Sequence, residues 1–524
     1  MTGYLSLTLY ILAILIVFAA CRLHVHRNGS RFPAFRTAGV LVFCSILFHL
    51  LPPLRHLSVF RIIVALSGEY LDLFWITFYF STAILLASDY RHTVVHIAVI
   101  TALSLFAAVG FTAVPVQDLS RDGAYTLKPC TVALLDQLDS ECIITWYRTD
   151  SYAESLSGTA LSMLLDRYER QNREHLRFYA RDPVQNISPA FPEKLGLVPL
   201  ADGNYSGILI EYRGSSRLVP VIAGHTLAEY ELTRSIESLV EGSREYPLQV
   251  LVLGNPGSGH DHLQLLLEHA EFTLVPVENP ENGLDERVPL VVIGSRFATG
   301  PVARSIDEFL NRGGNALVMV SGIEIDSTGD WSARTKSGDP VIELLRRRGI
   351  AIQDRLLRDK NHYTIIMNAL DDAGIRTVPY PYWIRIPESG FLNGHSVFSG
   401  VPAIQLYWPS PVTIDDSAGI PLMETGKNAQ ADHAPFDTRP LVNSGETVWS
   451  GEGSFIVGVI RDDGSRLIVI PDEHAVASLN DFTGAWDNYT FFVNCAEWIS
   501  GREHITTLKR REPSSFALVR RLFP

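Results

Sequence analysis

Three groups of residues in this 524-residue chain have types and spacing suited to chemistry. The first is Asp472-Glu473-His474, which follows the apolar run 466–470 through Pro471. Carboxylates and an imidazole beyond a strand end can hold a polar ligand or a metal, or pass protons to a substrate. The same residues also read as a helix cap in a solvated turn. The second is Ser321, a candidate nucleophile after the apolar run 315–320. Its surroundings, Met319-Val320-Ser321-Gly322-Ile323, lack the G-x-S-x-G elbow, and no Cys takes that place. The third is the glycine-rich turn Gly254-Asn255-Pro256-Gly257-Ser258-Gly259-His260-Asp261, set between an apolar run at 248–253 and a helical pattern at 262–270.

That turn resembles a phosphate loop only in part. Gly254 and Gly259 align with the glycines of G-x-x-x-x-G-K-[ST], but His260 stands where a lysine reaches phosphate and Asp261 where a hydroxyl holds magnesium. An aspartate there repels phosphate and is placed to cap the helix itself. The third glycine of the dinucleotide pattern is also missing, so a structural turn is the expectation. Strand ends in open α/β sheets are nonetheless where ligands bind. The candidate ligand-binding set is therefore Gly254, Asn255, Gly257, Gly259, His260, Asp472, Glu473 and His474. No intact catalytic motif, metal site or cofactor is expected. An envelope hydrolase or amidotransferase-like enzyme using Asp472, Glu473, His474 or Ser321 stays open as the alternative.

The elements that must position these groups follow from periodicity. Strand patterns at 272–277, 289–293 and 315–320, with a helix at 302–312 before Gly313-Gly314, predict a Rossmann/flavodoxin-like parallel-sheet domain over 247–508. Its architecture resembles class I amidotransferase-like domains. An irregular insertion is expected at about 354–451, where Pro379-Tyr380-Pro381-Tyr382-Trp383 and Tyr407-Trp408-Pro409 are either a sugar or peptide platform or locally packed rings. Residues 118–246 read as strand 142–148, helix 152–173, strand 176–180, a hairpin of 207–212 and 216–223 across Arg213-Gly214-Ser215, and helix 229–240. That order predicts a thioredoxin-like layer without paired redox thiols. A Cys130–Cys142 disulfide is compatible with an oxidising space, and buried thiols are the plainer alternative.

Before residue 118 the chain is apolar. Four runs, at about 4–20, 36–54, 70–88 and 93–115, predict a multi-pass α-helical membrane region and hence a lipid-bilayer partner. The first run has no basic stretch before it, so it reads as a retained span rather than a cleaved signal. Arg22, Arg27, Arg31 and Arg36 lie in one loop without an acid, which predicts that this loop is cytoplasmic and the large domain extracytoplasmic, on the cytoplasmic (inner) membrane. Glu69, Asp72, His49 and His96 read as interfacial or packed groups. The net charge of -13 divides unevenly: residues 1–117 hold seven Arg and three acids, whereas the rest holds 37 bases against 54 acids. So acidic a remainder disfavours a nucleic-acid partner.

The stretch 117–150 joins the two regions. In it Asp118-Leu119-Ser120, Tyr125-Thr126-Leu127, Leu138-Asp139 and Ile144-Thr145-Trp146-Tyr147 fall in the order of the entry segment of the GldG-like family, auxiliary membrane components of gliding-motility and uncharacterised ABC transporters. Arg181-Asp182-Pro183, Gly207 to Tyr212, Phe309-Leu310-Asn311-Arg312-Gly313-Gly314 and Asn494-x-x-x-Trp498-Ile499-Ser500-Gly501 continue the resemblance, with Ile499 in place of a Leu. The resemblance implies a non-catalytic auxiliary subunit working with permease and ATP-binding subunits as separate chains. The chain departs from the family in its additional N-terminal apolar runs and in ending on a basic tail, 509–524, where many members continue into another span.

Overall fold

Proline at the start of a helix is tolerated because its missing N–H would have no partner there, and Pro129 opens α1 (Pro129–Asp136) in this way in the computed structural model. The structure describes residues 126–184, 191–222, 224, 227–242, 246–254, 259–327, 329–368, 375–440 and 451–509. After α1 come β1 (Cys142–Arg148), the single turn α2 (Asp150–Ala153), α3 (Leu156–Gln171), β2 (Leu176–Arg181), α4 (Phe191–Leu195), β3 (Ser206–Tyr212), β4 (Ser215–Val219) and α5 (Ala228–Glu241). One helix was expected over 152–173, and two form. Ser155 interrupts it, its hydroxyl accepting the Gly158 N–H at 3.0 Å, and a side chain at Gly158 would collide with the Tyr152 carbonyl.

The first sheet has the order β2-β1-β3-β4, with β1 parallel to β2 and antiparallel to β3, and β3 antiparallel to β4. Arg213 and Gly214 both take positive φ, 50° and 80°, the hairpin-turn geometry that matches strand twist. Ile144, Ile208 and Ile210 from the sheet pack with Leu161, Leu165 and Tyr168 from α3 and Leu232 and Ile236 from α5. The disulfide does not form: Cys130 and Cys142 are free thiols, and burial raises the Cys142 thiol pKa to about 12.

The second sheet begins with β5 (Tyr246–Val252), α6 (Asp261–His269), β6 (Phe272–Pro276), β7 (Leu290–Ile293), α7 (Gly300–Asn311) and β8 (Ala316–Met319). There follow β9 (Ile323–Ile325), β10 (Ala333–Thr335), α8 (Pro340–Arg347), β11 (Ile350–Ile352), β12 (Leu356–Arg358), β13 (His362–Asn368), β14 (Ile375–Pro387) and β15 (Ala403–Tyr407). The chain closes with β16 (Val412–Ile414), β17 (Ile420–Glu424), β18 (Gln430–Asp432), β19 (Ile456–Asp462), β20 (Arg466–Ile470), α9 (Leu479–Thr483), α10 (Trp486–Ile499) and α11 (Glu503–Thr506). Seven strands share one sheet in the order β17-β19-β20-β8-β7-β5-β6. The five from β20 to β6 are parallel. β7 and β8 are buried along their whole length, which is why they read as unbroken apolar runs. From β5 the chain goes first to one side, to β6, and then to the other, to β7, so the strand order reverses between β5 and β7.

The expected fold class needs correction. Among the described residues no helix is long and apolar enough to cross a membrane, and they form a mixed α/β structure in place of a multi-pass α-helical region leading into a parallel sheet. The four expected spans, with Glu69, Asp72, His49 and His96, lie outside the described residues. The large sheet is not all parallel, since β17 and β19 are antiparallel additions at one edge.

Residues 354–440 are not irregular, carrying β12 to β18 and a three-stranded antiparallel sheet of β13, β14 and β15. Its aromatics are core: Tyr380, Trp383, Tyr407 and Trp408 are fully buried. Trp383 lies edge-on to Tyr407 and Trp408 at 5.2 and 5.5 Å, and the Trp408 indole N–H donates to Tyr380 at 2.8 Å. Rings with no exposed face do not make a sugar or peptide platform.

Helix α5 joins the two sheets. The Tyr230 hydroxyl donates to Glu497 Oε1 on α10 at 2.5 Å, and Lys509 donates to Glu497 Oε2 at 3.0 Å and to Asn494 at 2.7 Å. Lys509, expected to open a basic tail, is therefore buried. One residue before Tyr230, the Glu229 carboxylate accepts the Lys128 backbone N–H at 2.6 Å.

Candidate functional site

The carboxyl ends of the parallel strands bring the chemically active residues together. Gly254 follows β5, Gly294 and Ser295 follow β7, Ser321 follows β8, and Pro471-Asp472-Glu473-His474 follow β20. At the point where strand order reverses, Gly254 and Gly294 touch. Gly294 has φ +76°, and a Cβ on it would collide with the Gly254 backbone and stand 2.9 Å from Glu473 Oε2. Only glycine allows this approach, which brings the Glu473 carboxylate over the seam.

Lys336, from the loop after β10, completes the seam. Its ammonium, 6% exposed, lies 3.4 Å from Glu473 Oε2 and 3.3 Å from Ser295 Oγ. Ser295 in turn donates to Asp339 Oδ2 at 2.5 Å, while Asp339 Oδ1 caps α8 by accepting the Val341 and Ile342 N–H groups at 2.9 and 3.1 Å. A buried ammonium is costly unless paired and hydrogen-bonded, and both conditions are met.

Beside this seam, Asp472 is wholly buried. Its Oδ1 accepts the His474 N–H at 2.8 Å and its Oδ2 the Tyr407 N–H at 2.6 Å. Burial raises its carboxyl pKa to about 8, outweighing the backbone N–H groups that favour the anion. Ser321 Oγ accepts the Glu473 backbone N–H at 2.9 Å. His474 is 2% exposed, lies edge-on to Trp408 at 5.3 Å, and neither of its ring nitrogens has a hydrogen-bond partner. Burial depresses its pKa against the opposing pull of Glu473, and Lys336 and His260 depress it further. Burial lowers the His260 pKa as well, with its Nδ1 3.4 Å from the Val476 carbonyl. Gly259, at φ +59°, faces the Ser478 side chain, to which a Cβ would come within 3.2 Å. The end of the glycine turn thus packs on the segment that follows His474.

Of the residues singled out by sequence, Gly254, Gly259, His260, Asp472, Glu473 and His474 line one edge of the sheet. Asn255 and Gly257 lie outside the described residues. The solvated-turn reading of Asp472-Glu473-His474 is wrong, because all three are buried. Asp261 does not cap its helix: α6 begins at Asp261, and the N-cap is His260, whose side chain makes no capping bond. Four contributors escaped the sequence reading: Gly294, Ser295, Lys336 and Asp339. The first two carry a signal, a Gly-Ser step directly after an apolar strand. Asp339 before Pro340 reads only as a helix start, and a lone Lys in a polar loop reads as solvated.

Ser321 holds a backbone N–H and is not hydrogen-bonded to His474, so these two do not form a nucleophile and base. Among the described residues no group of three or more His, Cys, Asp or Glu is placed to hold a metal ion. Lys336 offers donors, Glu473 an acceptor, and the neutral imidazole of His474 one of each.

Residues 221–495 match the family described as "ABC-type uncharacterized transport system". A protein of Borreliella burgdorferi, described as an uncharacterized protein, is 22% identical over 296 residues, covering 53% of this chain and 57% of that one. The match thus spans little more than half the length of that relative. No solved structure matches.

Proposed function

Because the chain belongs to the family of ABC-type transport-system auxiliary components, we propose that it is a non-catalytic, membrane-associated subunit of the GldG-like kind. It works with ATP-binding and permease subunits on separate chains. Its α/β layers take an extracytoplasmic position in this proposal. The observation that carries the non-catalytic reading is the commitment of Ser321 and Asp472 to backbone N–H groups at 2.6–2.9 Å. A hydroxyl and a carboxyl group held that way serve to fix the turn after β20. The same edge seats a small polar ligand in this proposal, with His474, buried and unpartnered, in its favour.

Affinity purification of the full chain from its own membrane tests the reading. An ATP-binding chain and a permease chain are expected in stoichiometric yield, and Ser321→Ala is expected to leave that assembly intact. Purified protein titrated with Mg-ATP is expected to show no saturable binding, since His260 and Asp261 replace the lysine and hydroxyl a phosphate loop needs. Hydrolysis of an ester or amide probe that Ser321→Ala abolished, with no transport subunits recovered, would overturn it in favour of the enzyme.

A further inference from the structure

Helices α6, α9 and α10 present an apolar face that nothing in the described chain covers. Leu265 is 64% exposed, Phe482 64% and Trp486 52%. Large aromatics are seldom left so open without a use, and Trp and Tyr dominate the energetic centres of protein interfaces. The floor of this face is built. His262 stacks on Tyr489 at 4.8 Å and leans on Trp486 at 5.3 Å, and its Nδ1 lies 3.3 Å from Asp481 Oδ1. The same Asp481 oxygen accepts the Tyr489 hydroxyl at 2.9 Å. Rings fixed in this way lose little freedom when a partner lands on them.

The rim is acidic. Asp261 and Glu268 stand four residues before and three after Leu265, on the same helical face, and Asp481 precedes Phe482; all three are exposed. Neither Lys nor Arg occurs in α6, α9 or α10. We propose that this face docks a basic amphipathic segment of a partner protein, with its apolar side on Phe482 and Trp486 and its Lys or Arg side chains on the acidic rim. Charge decides against two other occupants. An anionic lipid surface meets three carboxylates of its own sign, and a second copy would bring rim against rim. The reading of the chain as a transport subunit supplies the identity of the complex, while the docking chemistry stands on these helices alone.

Photocrosslinking reads the occupant directly. The full chain carrying p-benzoylphenylalanine at Phe482, expressed in its own membrane, is irradiated and the adduct sequenced by mass spectrometry. The expected adduct is an apolar peptide flanked by Lys or Arg from another polypeptide. Its yield falls at least fivefold with Trp486→Glu and with Asp261→Lys combined with Glu268→Lys, while the unfolding midpoint of each variant, which reports folding separately, stays unchanged. Adducts to lipid, to a second copy or to this chain's own residues 510–524, or no adduct, would overturn the docking proposal. Absence of an adduct while ATP-binding and permease chains still co-purify removes the docking face and leaves the subunit reading. An adduct on a basic amphipathic segment outside any transport system keeps the face and removes that reading.

Discussion

Asp472 gives the strand-end edge a pH dependence whose sign follows from its surroundings. Its folded pKa, about 8, lies above the unfolded value of about 3.9, so the native state keeps a proton that the unfolded state releases. Stability therefore falls as pH rises from about 4 to about 8. His504, raised chiefly by its hydrogen bond to Glu237, adds a slope of the same sign above its unfolded value of about 6.5. His474 and His260, both depressed by burial, act oppositely and only as pH falls below about 6.5. Urea unfolding between pH 6.5 and 8 should show wild type losing on the order of a few kcal/mol. Asp472→Asn and His504→Gln should each remove part of that slope, and an unchanged slope in Asp472→Asn would show its carboxyl to be ionised in the fold. Asp472, Glu473 and His474 were legible as a chemical group because they are consecutive. Lys336 was not, since its partner Glu473 lies 137 positions away and nothing local marks a lysine for burial.

Strands and helices were far easier to read than the close approaches between them. Apolar runs at 290–293 and 316–319 announce buried strands, and Gly313 takes φ +86° just past α7 as a helix-ending glycine does. The aromatic segment around β14 misled because prolines at 379 and 381 argue against a strand, and tertiary packing of its rings prevailed over that local preference. The two kinds of glycine can be separated by experiment. Gly313→Ala strains only the backbone and should cost about 1–2 kcal/mol. Gly294→Ala adds a collision with Gly254 at the end of β5, and should cost roughly 3 kcal/mol or more by denaturant unfolding. Equal costs would mean that the β5 and β7 ends are free to part.

At the scale of the whole described unit, the two sheets meet at a buried ion pair. The Lys509–Glu497 pair is buried on both sides, 4% and 0% exposed, and Tyr230 ties it to α5. Removing one partner leaves a buried charge without its counterion, so Lys509→Met should cost about 3–5 kcal/mol. Lys509→Met with Glu497→Leu should recover most of that loss, because an apolar pair replaces the ionic one. Protease digestion is the sharper readout: the single variant should be cut between α5 and β5 well before it unfolds, and the double variant should not. Nothing local in the sequence marks this junction, because Tyr230 lies 267 positions from Glu497 and no pattern within a helix or tail pairs them.

The same junction also gathers both ends of the described chain. Lys128 donates to Glu229 near the start, and Lys509 near the finish sits over the ring of the next residue, Tyr230, 4.2 Å from its centroid. Within residues 127–509 the two ends of the described unit thus meet at one place, which makes the order of its elements along the chain partly a matter of convention. A circular permutant of residues 127–509, joined there by a short Gly-Ser linker and opened at the exposed Arg213-Gly214 turn, should fold to the same two sheets.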